Sequence, residues 1–421
     1  MWAGYMTQSL PILAMLLLIS QLTAVAASAP TFTRDVAPIL FQNCAFCHRA
    51  GEVAPFPLLN YTDAKKHAKQ IVRVTSERIM PPWKAEHGFG EFLNERYLTA
   101  QQIQLLKDWV EGDSPEGNAA DLPPLPKFAE GWTLGEPDLV LEPEEDYELT
   151  AEGRDVYRCF VIPTNFKEDH YISAVEMRPG NRRVVHHVIA HIDTMGRARE
   201  LDAKDPGPGY STFGGVGFKS NGSVGGWAPG NFPSRLPSGL GIPIPKEADL
   251  VLQVHYNKTG KPEKDRTRVG LYFAKGTVEK RVRTAPVIKL PLRIPANDSN
   301  FVVHASLPVP LGATVYRVMP HMHLLGREMK VTAELPDGTI LPLVHVPDWD
   351  FNWQTSYTFK TPIHLPRGSR VDLEARFDNS TNNPLNPHNP PKLVRFGEQT
   401  SDEMCIAFLT FTADAEKAPS K

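Results

Sequence analysis

The sequence lacks an excess of charge of either sign. Its 45 Lys and Arg residues nearly balance 48 Asp and Glu residues, so the formal net charge of the 421-residue chain is −3. This balance gives no reason to expect nucleic acid or an anionic membrane surface as a partner. Beyond the N-terminus, no apolar run approaches the ~20 residues that a membrane-spanning helix needs. We therefore expect no membrane span once the N-terminal segment has been removed.

The N-terminus is typical of an export signal. The apolar stretch 10–19, interrupted only by Pro11, precedes small residues that end at Ala29. Cleavage after Ala26 fits the small-x-small pattern, which predicts a signal peptide over residues 1–26. No Lys or Arg precedes the apolar run, so an uncleaved anchor is the alternative. We expect a periplasmic or secreted protein of bacterial type.

The length of the chain predicts two or three domains. The 39 prolines and 30 glycines favour strands, turns and ordered loops over long helices once the first hundred residues are passed. Within those hundred residues, apolar side chains at three- and four-residue spacing predict a helix from Asp63 to Ile79. A second helix is predicted to begin at Thr99, where Gln102 completes a capping box.

Cys44, Cys47 and His48 form a Cys-x-x-Cys-His motif. Two thiols at this spacing can add across the vinyl groups of a haem, and the adjacent histidine then lies beneath the iron. A thioredoxin-like or zinc-binding Cys-x-x-Cys is the alternative, but the following histidine and the helical context favour covalent haem. The segment resembles a class I cytochrome c, which implies a small all-α haem domain over residues 30–114.

That resemblance also implies a second axial ligand from a methionine well downstream. Met80 precedes Pro81 and Pro82, which cannot continue a helix and would hold the thioether in an extended loop. A methionine ligand would raise the haem potential relative to a second histidine. His67 and His87 are the alternative ligands, and Met80 could also be an ordinary core methionine.

A proline-rich linker over residues 115–131 separates this region from a β-rich half. Many short strands between Gly, Pro and Asn turns favour antiparallel sandwiches, which we place at residues 132–278 and 279–415. The two cysteines outside the haem motif, Cys159 and Cys405, either form one disulfide or are separate buried thiols. The clearest strand predictions, rich in β-branched and aromatic residues, are 157–162, 249–256 and 407–412.

The β-rich half carries scattered soft metal donors. His186 and His187 follow two valines on a predicted strand, and His255 lies near the end of another. Adjacent strand residues point to opposite faces, so His186 and His187 can share one metal only if the backbone bends or the site lies on an edge. His187 and His191 lie on one face of the strand and are the alternative pair.

A second group of donors follows along the chain. His321 and His323 are two residues apart, a spacing that brings two imidazoles to one side of a strand. Met404 stands beside Asp402 and Glu403, which is an unusual setting for a core methionine. A thioether ligand would bias such a site toward Cu(I). Zinc is the alternative metal, but a thioether suits it poorly.

In their order along the chain, these donors resemble the copper type II, ascorbate-dependent monooxygenases, the family of peptidylglycine α-hydroxylating monooxygenase and dopamine β-monooxygenase. The resemblance covers most of residues 150–415. It rests on four stretches: Val-His-His-Val at 185–188, Leu-Gln-Val-His-Tyr at 252–256, His-Met-His-Leu-Leu-Gly at 321–326 and Thr-Ser-Asp-Glu-Met-Cys at 400–405. The family's fold implies two tandem all-β, jelly-roll-like sandwiches with one copper each.

The resemblance also assigns roles to the donors. It implies that an electron-donating copper is held by the first histidine set, which consists of His186, His187 and His255. It implies that the catalytic copper, which activates O₂, is held by the second ligand set, which consists of His321, His323 and Met404. His191 would then be a bystander.

The resulting hypothesis is a secreted, haem-fused dicopper monooxygenase. Its fold class would be multidomain, with a small all-α cytochrome c-like domain followed by two tandem all-β jelly-roll-like sandwiches. It would hydroxylate a substrate C–H bond with O₂ and release the second oxygen atom as water. The expected cofactors are two copper ions, one covalent haem c, and ascorbate or an equivalent reductant. The expected partners are a small-molecule substrate, O₂ and a periplasmic electron donor, with the haem as a possible electron route.

Departures from the family narrow the substrate. Peptide-amidating members carry an arginine two residues before the paired histidines, where this chain has Met319, and Arg317 lies two residues further back. They also carry a tyrosine four residues past the methionine ligand, where this chain has Phe408. A peptide ending in glycine is therefore not the expected substrate. The alternative functions are a non-catalytic copper and haem electron-transfer protein that retains the hydroxylase fold, and a haem sensor or peroxidase-like enzyme.

Overall fold

A computed structural model describes residues 1, 4, 29–50, 52, 54–128, 131–212, 215–229 and 231–416. The predicted signal peptide, apart from residues 1 and 4, lies outside the described residues. Within those residues, no helix combines the length and the apolar character needed to cross a membrane.

Five short α-helices occur in the part of the chain that the structure describes. Thr99 and Gln102 form the predicted capping box, which confirms where α4 begins. The predicted helix from Asp63 to Ile79 is interrupted at His67, whose backbone leaves the helical region (φ −106°, ψ 11°). A π-helical turn at Phe32–Val36 precedes the first helix, and a 3₁₀ turn lies at Ala119–Asp121. The α-helices are α1 (Ala37–Asn43), α2 (Tyr61–Lys66), α3 (Ala68–Ser76), α4 (Ala100–Glu111) and α5 (Arg197–Asp202).

Strands make up most of the remaining regular structure. The three clearest strand predictions are confirmed by β3, β9 and β22. The strands are β1 (Leu139–Leu141), β2 (Tyr147–Leu149), β3 (Val156–Pro163), β4 (His170–Arg178), β5 (Val185–Asp193), β6 (Tyr210–Ser211), β7 (Ser223–Trp227), β8 (Leu240–Ile244), β9 (Asp249–Tyr256), β10 (Glu263–Asp265), β11 (Arg268–Phe273), β12 (Lys280–Arg281), β13 (Arg283–Ile288), β14 (Arg293–Ile294), β15 (Phe301–Pro308), β16 (Ala313–His321), β17 (Gly326–Glu334), β18 (Ile340–Val346), β19 (Tyr357–Leu365), β20 (Arg370–Phe377), β21 (Val394–Arg395) and β22 (Ile406–Ala413).

These strands form small sheets around two separate cores. Strands β1 to β12, here the first β unit, form two five-stranded sheets with the orders β1-β11-β4-β8-β12 and β6-β3-β9-β5-β7, and the pair β2-β10. Strands β13 to β22, here the second β unit, form four-stranded sheets with the orders β13-β22-β16-β19 and β15-β20-β17-β18, and the pair β14-β21. Every residue of β9 is buried, because this strand lies between β3 and β5 in the middle of its sheet.

The predicted fold class is wrong. The described chain is mostly β, its α-helices are only six to twelve residues long, and the strands form six small sheets of two to five strands. No sizeable all-α domain of the cytochrome c type is evident among the described residues. The helices share only a small apolar cluster that includes Phe32, Leu40 and Trp109.

The course of the chain after Met80 explains the error. Helix α3 ends at Ser76, and aromatic residues after Pro82 pack in or against the core of the second β unit instead of between helices. Phe92 is a member of that core, and Trp83 packs against it. Residues 91–93 also pair with the edge of β19, through Leu93 N to Thr358 O (2.8 Å) and Lys360 N to Glu91 O (2.9 Å).

The N-terminal region also contacts the first β unit. Glu52, a few residues after the Cys-x-x-Cys-His motif, forms an ion pair with Arg182. Phe46, inside the motif, packs against Phe232 with ring centroids 4.3 Å apart. With the contacts of residues 83–93, these interactions join the helical region to both β units.

Cys159 and Cys405 are free thiols. Cys159 lies in a small cluster behind β3, whereas Cys405 belongs to the core of the second β unit. Of the two alternatives drawn from the sequence, the structure therefore has the two separate buried thiols.

Candidate metal centres

The structure brings the first histidine set together across two neighbouring strands. His187 on β5 lies opposite His255 on β9, and the strand register shifts between Val185 and His187. This irregularity is the bend that two adjacent histidines need in order to face one site. The candidate ligand nitrogens of all three histidines lie within 4.8 Å of one another.

The ring nitrogens of this set are oriented for a metal. His186 Nδ1 lies 3.3 Å from His187 Nδ1, a separation that suits two ligands of one ion, because metal–imidazole bonds are about 2.0–2.1 Å long. His255 Nε2 lies 3.0 Å from Asp155 Oδ2. His255 Nδ1 is buried and has no hydrogen-bond partner. Buried polar atoms are rarely left unpaired, so this nitrogen points to a missing ligand partner.

Burial lowers the pKa values of His186 and His187 and keeps both imidazoles neutral. Desolvation, reinforced by repulsion from His255, lowers the pKa of His186 to about 3. The same two causes lower the pKa of His187 well below its ordinary value. A neutral imidazole offers a free lone pair, which is the form that binds a metal.

The second ligand set is assembled at the end of β16. His321 Nδ1 lies 2.7 Å from Gln354 Oε1, and His323 Nδ1 lies 3.2 Å from the backbone oxygen of Asp402. Because each Nδ1 has a partner, Nε2 is the atom left to bind a metal. The two rings are 5.2 Å apart and nearly perpendicular. Desolvation lowers the pKa of His321, and it lowers that of His323 to about 3.

Glu403 connects the backbone of Met404 to that of His323. Its fully buried carboxylate accepts hydrogen bonds from the backbone N–H groups of His323 and Leu325, both at 2.8 Å. Burial raises the pKa of Glu403 to about 8, against the opposing effect of these hydrogen bonds. Met404 is 8% exposed and lies next to β22, whereas Met322 is an ordinary core residue. The sequence marked Glu403 only as an acidic neighbour, so its structural role was missed.

The histidines of the two ligand sets share one small cavity. Phe351 stands between them: its ring stacks on His186 (centroids 4.7 Å apart) and meets His323 edge-on (5.8 Å). No sequence signal identified Phe351 or Gln354, since both lie in an irregular connection between β18 and β19. Met404 is not among the described residues that line the cavity, which are Tyr157, His186, His187, His255, His321, His323, Phe351, Gln354, Glu398 and Thr400.

His191 lies apart from the first histidine set. Its Nδ1 is 3.5 Å from Ser220 Oγ, and burial lowers its pKa to about 4. It does not belong to the group of ligand nitrogens formed by the other three histidines.

The Cys-x-x-Cys-His residues form a single turn. The backbone N–H groups of Cys47 and His48 donate to Cys44 O (3.1 and 2.9 Å), and both cysteines are free. His48 Nδ1 lies 3.0 Å from Phe56 O, which fixes the ring and leaves Nε2 as the possible axial nitrogen. Burial raises the pKa of Cys44 to about 12. Free thiols three residues apart beside an oriented imidazole fit covalent haem attachment.

The candidates for a second axial ligand have different surroundings. Met80 follows α3, and its backbone N–H donates to Val74 O (3.0 Å). His67 stacks on Phe56 with ring centroids 3.7 Å apart. His87 lies 2.6 Å from Glu95 and stacks on a tyrosine, so its ring is engaged elsewhere. Met80 therefore stays a prediction as the second axial ligand, and His67 is the stronger of the two alternative ligands.

Two groups of buried histidines that line one cavity, one of them with Met404 nearby in the fold, define a metal-binding protein as the class to consider. Comparison with known proteins narrows this class. Residues 297–419 match the C-terminal domain of the copper type II ascorbate-dependent monooxygenases. The chain is also 24% identical over 368 residues to the human protein "DBH-like monooxygenase protein 1". These two matches support a relationship to that family.

The match to the human protein covers only part of that protein. The alignment covers 76% of this chain and 56% of the human protein, so the chain spans a little over half of that relative. Among solved structures, the capsid protein P2 of bacteriophage PM2 has 8% identity and a TM-score of 0.25, covering 67% of this chain and 98% of the capsid protein. PNGase F of Flavobacterium meningosepticum has 11% identity and a TM-score of 0.31, and the alignment covers 67% of this chain and 97% of PNGase F. Likenesses this weak add nothing to the argument.

Proposed function

We propose that this protein is a copper-dependent monooxygenase that hydroxylates a C–H bond of a small-molecule substrate with O₂. Electrons come from ascorbate or an equivalent reductant. The observation that carries the proposal is the first histidine set, in which one ring nitrogen from each histidine lies within 4.8 Å of the others while Nδ1 of His255 is buried without a hydrogen-bond partner. The match of the second β unit to a copper monooxygenase domain supports the choice of metal.

The choice of copper over zinc also rests on Met404. The first histidine set offers three imidazoles, whereas the second ligand set offers two imidazoles and a thioether. Nitrogen donors suit both oxidation states of copper, and a thioether favours Cu(I). We therefore assign the electron-donating role to the first histidine set and the catalytic role to the second ligand set.

The protein's own residues supply orientation and shielding. Copper, when bound, would supply one-electron chemistry and the activation of O₂. Asp155, Gln354 and the backbone of Asp402 each hold the outer nitrogen of a ligand histidine, which fixes the ring that faces inward. Phe351 and Tyr157 cover the cavity with aromatic surface and limit the access of water.

We also propose that Cys44, Cys47 and His48 attach a haem that passes electrons to the copper sites, with Met80 as the second axial ligand. The orientation of His48 by Phe56 O supports the axial role. The ion pair of Glu52 with Arg182 supports the relay, because it packs the motif segment against the residues that lead directly into β5 and the first histidine set. Covalent haem and the predicted export signal together favour a periplasmic location.

The central test is substrate-dependent oxygen uptake by the copper-loaded protein. With ascorbate as reductant, a panel of small molecules should include one whose hydroxylated product accumulates in proportion to the O₂ consumed. Full loading with two coppers but no product from any compound would favour the non-catalytic electron-transfer alternative. Stoichiometric zinc with no copper would overturn the proposal.

The haem relay has its own test. The double variant Cys44→Ser/Cys47→Ser should lack covalent haem, and its coppers should be re-reduced more slowly in rapid-mixing experiments with a haem-reducing donor. Equal re-reduction rates in the wild type and the variant would remove the relay and leave the monooxygenase proposal intact.

A further inference from the structure

One carboxylate oxygen links the two candidate metal sites. Asp155 lies directly before β3, where its Oδ2 is 3.0 Å from His255 Nε2 and 2.9 Å from Thr400 Oγ1. His255 belongs to the first histidine set. Thr400 lies in residues 398–404, here the Met404 segment, which leads into Met404 of the second ligand set.

A second contact reinforces this link. Tyr157, two residues further along the same strand, stacks on His255 with centroids 4.2 Å apart and 12° between the ring planes. Its hydroxyl donates to Glu398 O at 2.8 Å. Residues two apart in an extended strand share a face, so Asp155 and Tyr157 act from the same side of the sheet. Both residues thus touch His255 and the Met404 segment at once.

The Met404 segment in turn fixes the second ligand set. The backbone oxygen of Asp402 lies 3.2 Å from His323 Nδ1, and the carboxylate of Glu403 accepts from His323 N. Two polar contacts therefore connect His255 through Asp155 to Thr400. The backbone from Thr400 to Glu403 continues this connection to His323 and Met404 in the other β unit. A shift of His255 on metal binding would be transmitted to the second ligand set along it.

We propose that Asp155 is a positioning residue for both metal sites, so that the two sites bind copper cooperatively. The inference rests on the proposed function insofar as both ligand sets bind copper. A carboxylate that accepts from the outer nitrogen of a ligand histidine fixes the orientation of its ring. Because Asp155 also contacts Thr400, copper binding at one site restricts the motion of residues at the other site. The second copper then binds with a smaller loss of conformational entropy. By thermodynamic linkage, copper at either site must raise the copper affinity of the other site by the same factor.

The test is the Cu(I) affinity of each site, measured in the full-length protein by competition with a chromophoric chelator. A His323→Ala background isolates the first site, and a His186→Ala background isolates the second. Comparing these affinities with those of the intact protein gives the cooperativity. Cooperative binding in the wild type is expected, and independent sites there would overturn the inference.

Two substitutions separate the functions of Asp155. Asp155→Asn should weaken the isolated first site by about 10- to 100-fold, as loss of a partner of a ligand histidine does. Thr400→Val keeps the bond between Asp155 and His255, so it should leave the isolated first site unchanged but abolish the cooperativity. Thr361→Val, an exposed position on β19, is the matched control and should change neither.

Specific results would overturn the inference. One is an unchanged first-site affinity in Asp155→Asn, and another is wild-type cooperativity in Thr400→Val. Complete loss of the first copper in Asp155→Asn would make Asp155 a ligand instead of a positioning residue. Thermal melting of each metal-free variant shows whether it is folded.

The same data separate this inference from the proposed function. Cooperative copper binding without hydroxylation of any substrate would remove the proposed function and leave Asp155 in its role. Hydroxylation by a protein whose two sites bind copper independently would support the proposed function and overturn the inference about Asp155.

Discussion

The two nitrogens of His255 show what a sequence can and cannot reveal about a residue. The sequence marked His255 as a possible ligand through its place in a family-like stretch. It held no information on which nitrogen faces the site, because that depends on Asp155, a hundred residues earlier in the chain. Glu403, Phe351 and Gln354 were missed for the same reason, since their roles depend on contacts made only in the folded protein.

Removing His255 should remove one copper. We expect His255→Ala to reduce bound copper from two ions per chain to one, because only two imidazoles remain in the first histidine set. Elemental analysis after gel filtration measures the ratio. His191→Ala is the control, because His191 lies outside the ligand group, and a loss of copper in that variant would contradict the assignment.

Replacing Met404 should alter the metal preference without disturbing the fold. Leu has a volume close to that of Met, so Met404→Leu should cost less than about 1.5 kcal/mol of stability. The Cu(I) affinity of the second site should fall more than its Cu(II) affinity, because a soft ligand is lost. Chelator competition measures the first affinity and titration followed by electron paramagnetic resonance the second. Equal affinities in the variant and the wild type would show that the thioether is not a ligand.

The buried histidines predict that the metal-free protein is sensitive to acid. The pKa values of His186 and His323 lie at about 3 in the folded state, whereas an unfolded histidine has a pKa near 6.5. Between these values the unfolded chain binds protons that the folded chain does not. The free energy of unfolding should therefore fall by up to about 1.4 kcal/mol per pH unit for each histidine as the pH decreases from 6.5 toward 3.

Urea denaturation of the metal-free protein at several pH values measures this slope. His186→Gln should make the slope shallower, because one group with a lowered pKa has been removed. His304→Gln, at an exposed position, should leave it unchanged. Equal slopes in all three proteins would contradict the explanation.

At the scale of elements, the strands were better predicted than the geometry within them. The apolar run at 249–256 identified β9, and the capping box identified the start of α4. The strand irregularity beside His186 and His187 has no sequence signature here, although the need for a bend could be stated in advance. The break at His67 was also missed, because the apolar spacing continues across it.

The connection between β18 and β19 provides a prediction at this scale. Within it, Gln354 orients His321, whereas Asn352 is exposed and makes no contact with a ligand set. Gln354→Leu should weaken copper binding at the second site by about 10-fold or more, because the outer nitrogen of His321 loses its partner. Asn352→Ala is the matched control. Equal affinities in both variants would show that Gln354 does not orient the ligand.

At the scale of the whole molecule, the resemblance to a cytochrome c implied a separate all-α domain, and no such domain is evident among the described residues. Local periodicity reports how a segment folds, but it does not report which core buries the residues that follow. Phe92 is buried in the core of the second β unit, Trp83 is partly buried against it, and Tyr357 of β19 packs against both. The helical region and the second β unit are therefore expected to unfold together.

Trp83 offers a test of that expectation. Trp83→Ala should destabilise the protein, by less than the about 3–5 kcal/mol that removal of a fully buried large aromatic side chain costs, because Trp83 is only partly buried. Differential scanning calorimetry should show the transition of the second β unit move to lower temperature. Leu93→Ala, at a nearby residue that is 46% exposed, should have little effect. If only a separate unfolding transition of the helical region moved to lower temperature, the helical region would be an independent domain.

The position of Phe351 has a kinetic consequence. The cavity between the two ligand sets holds about 10 Å³, roughly the space of one water molecule. An organic compound would fit between the two ligand sets only if the ring of Phe351 or the β units moved apart. The opening motion would then limit the rate of turnover. The observed rate of substrate binding would reach a plateau at high substrate concentration instead of rising in proportion to it.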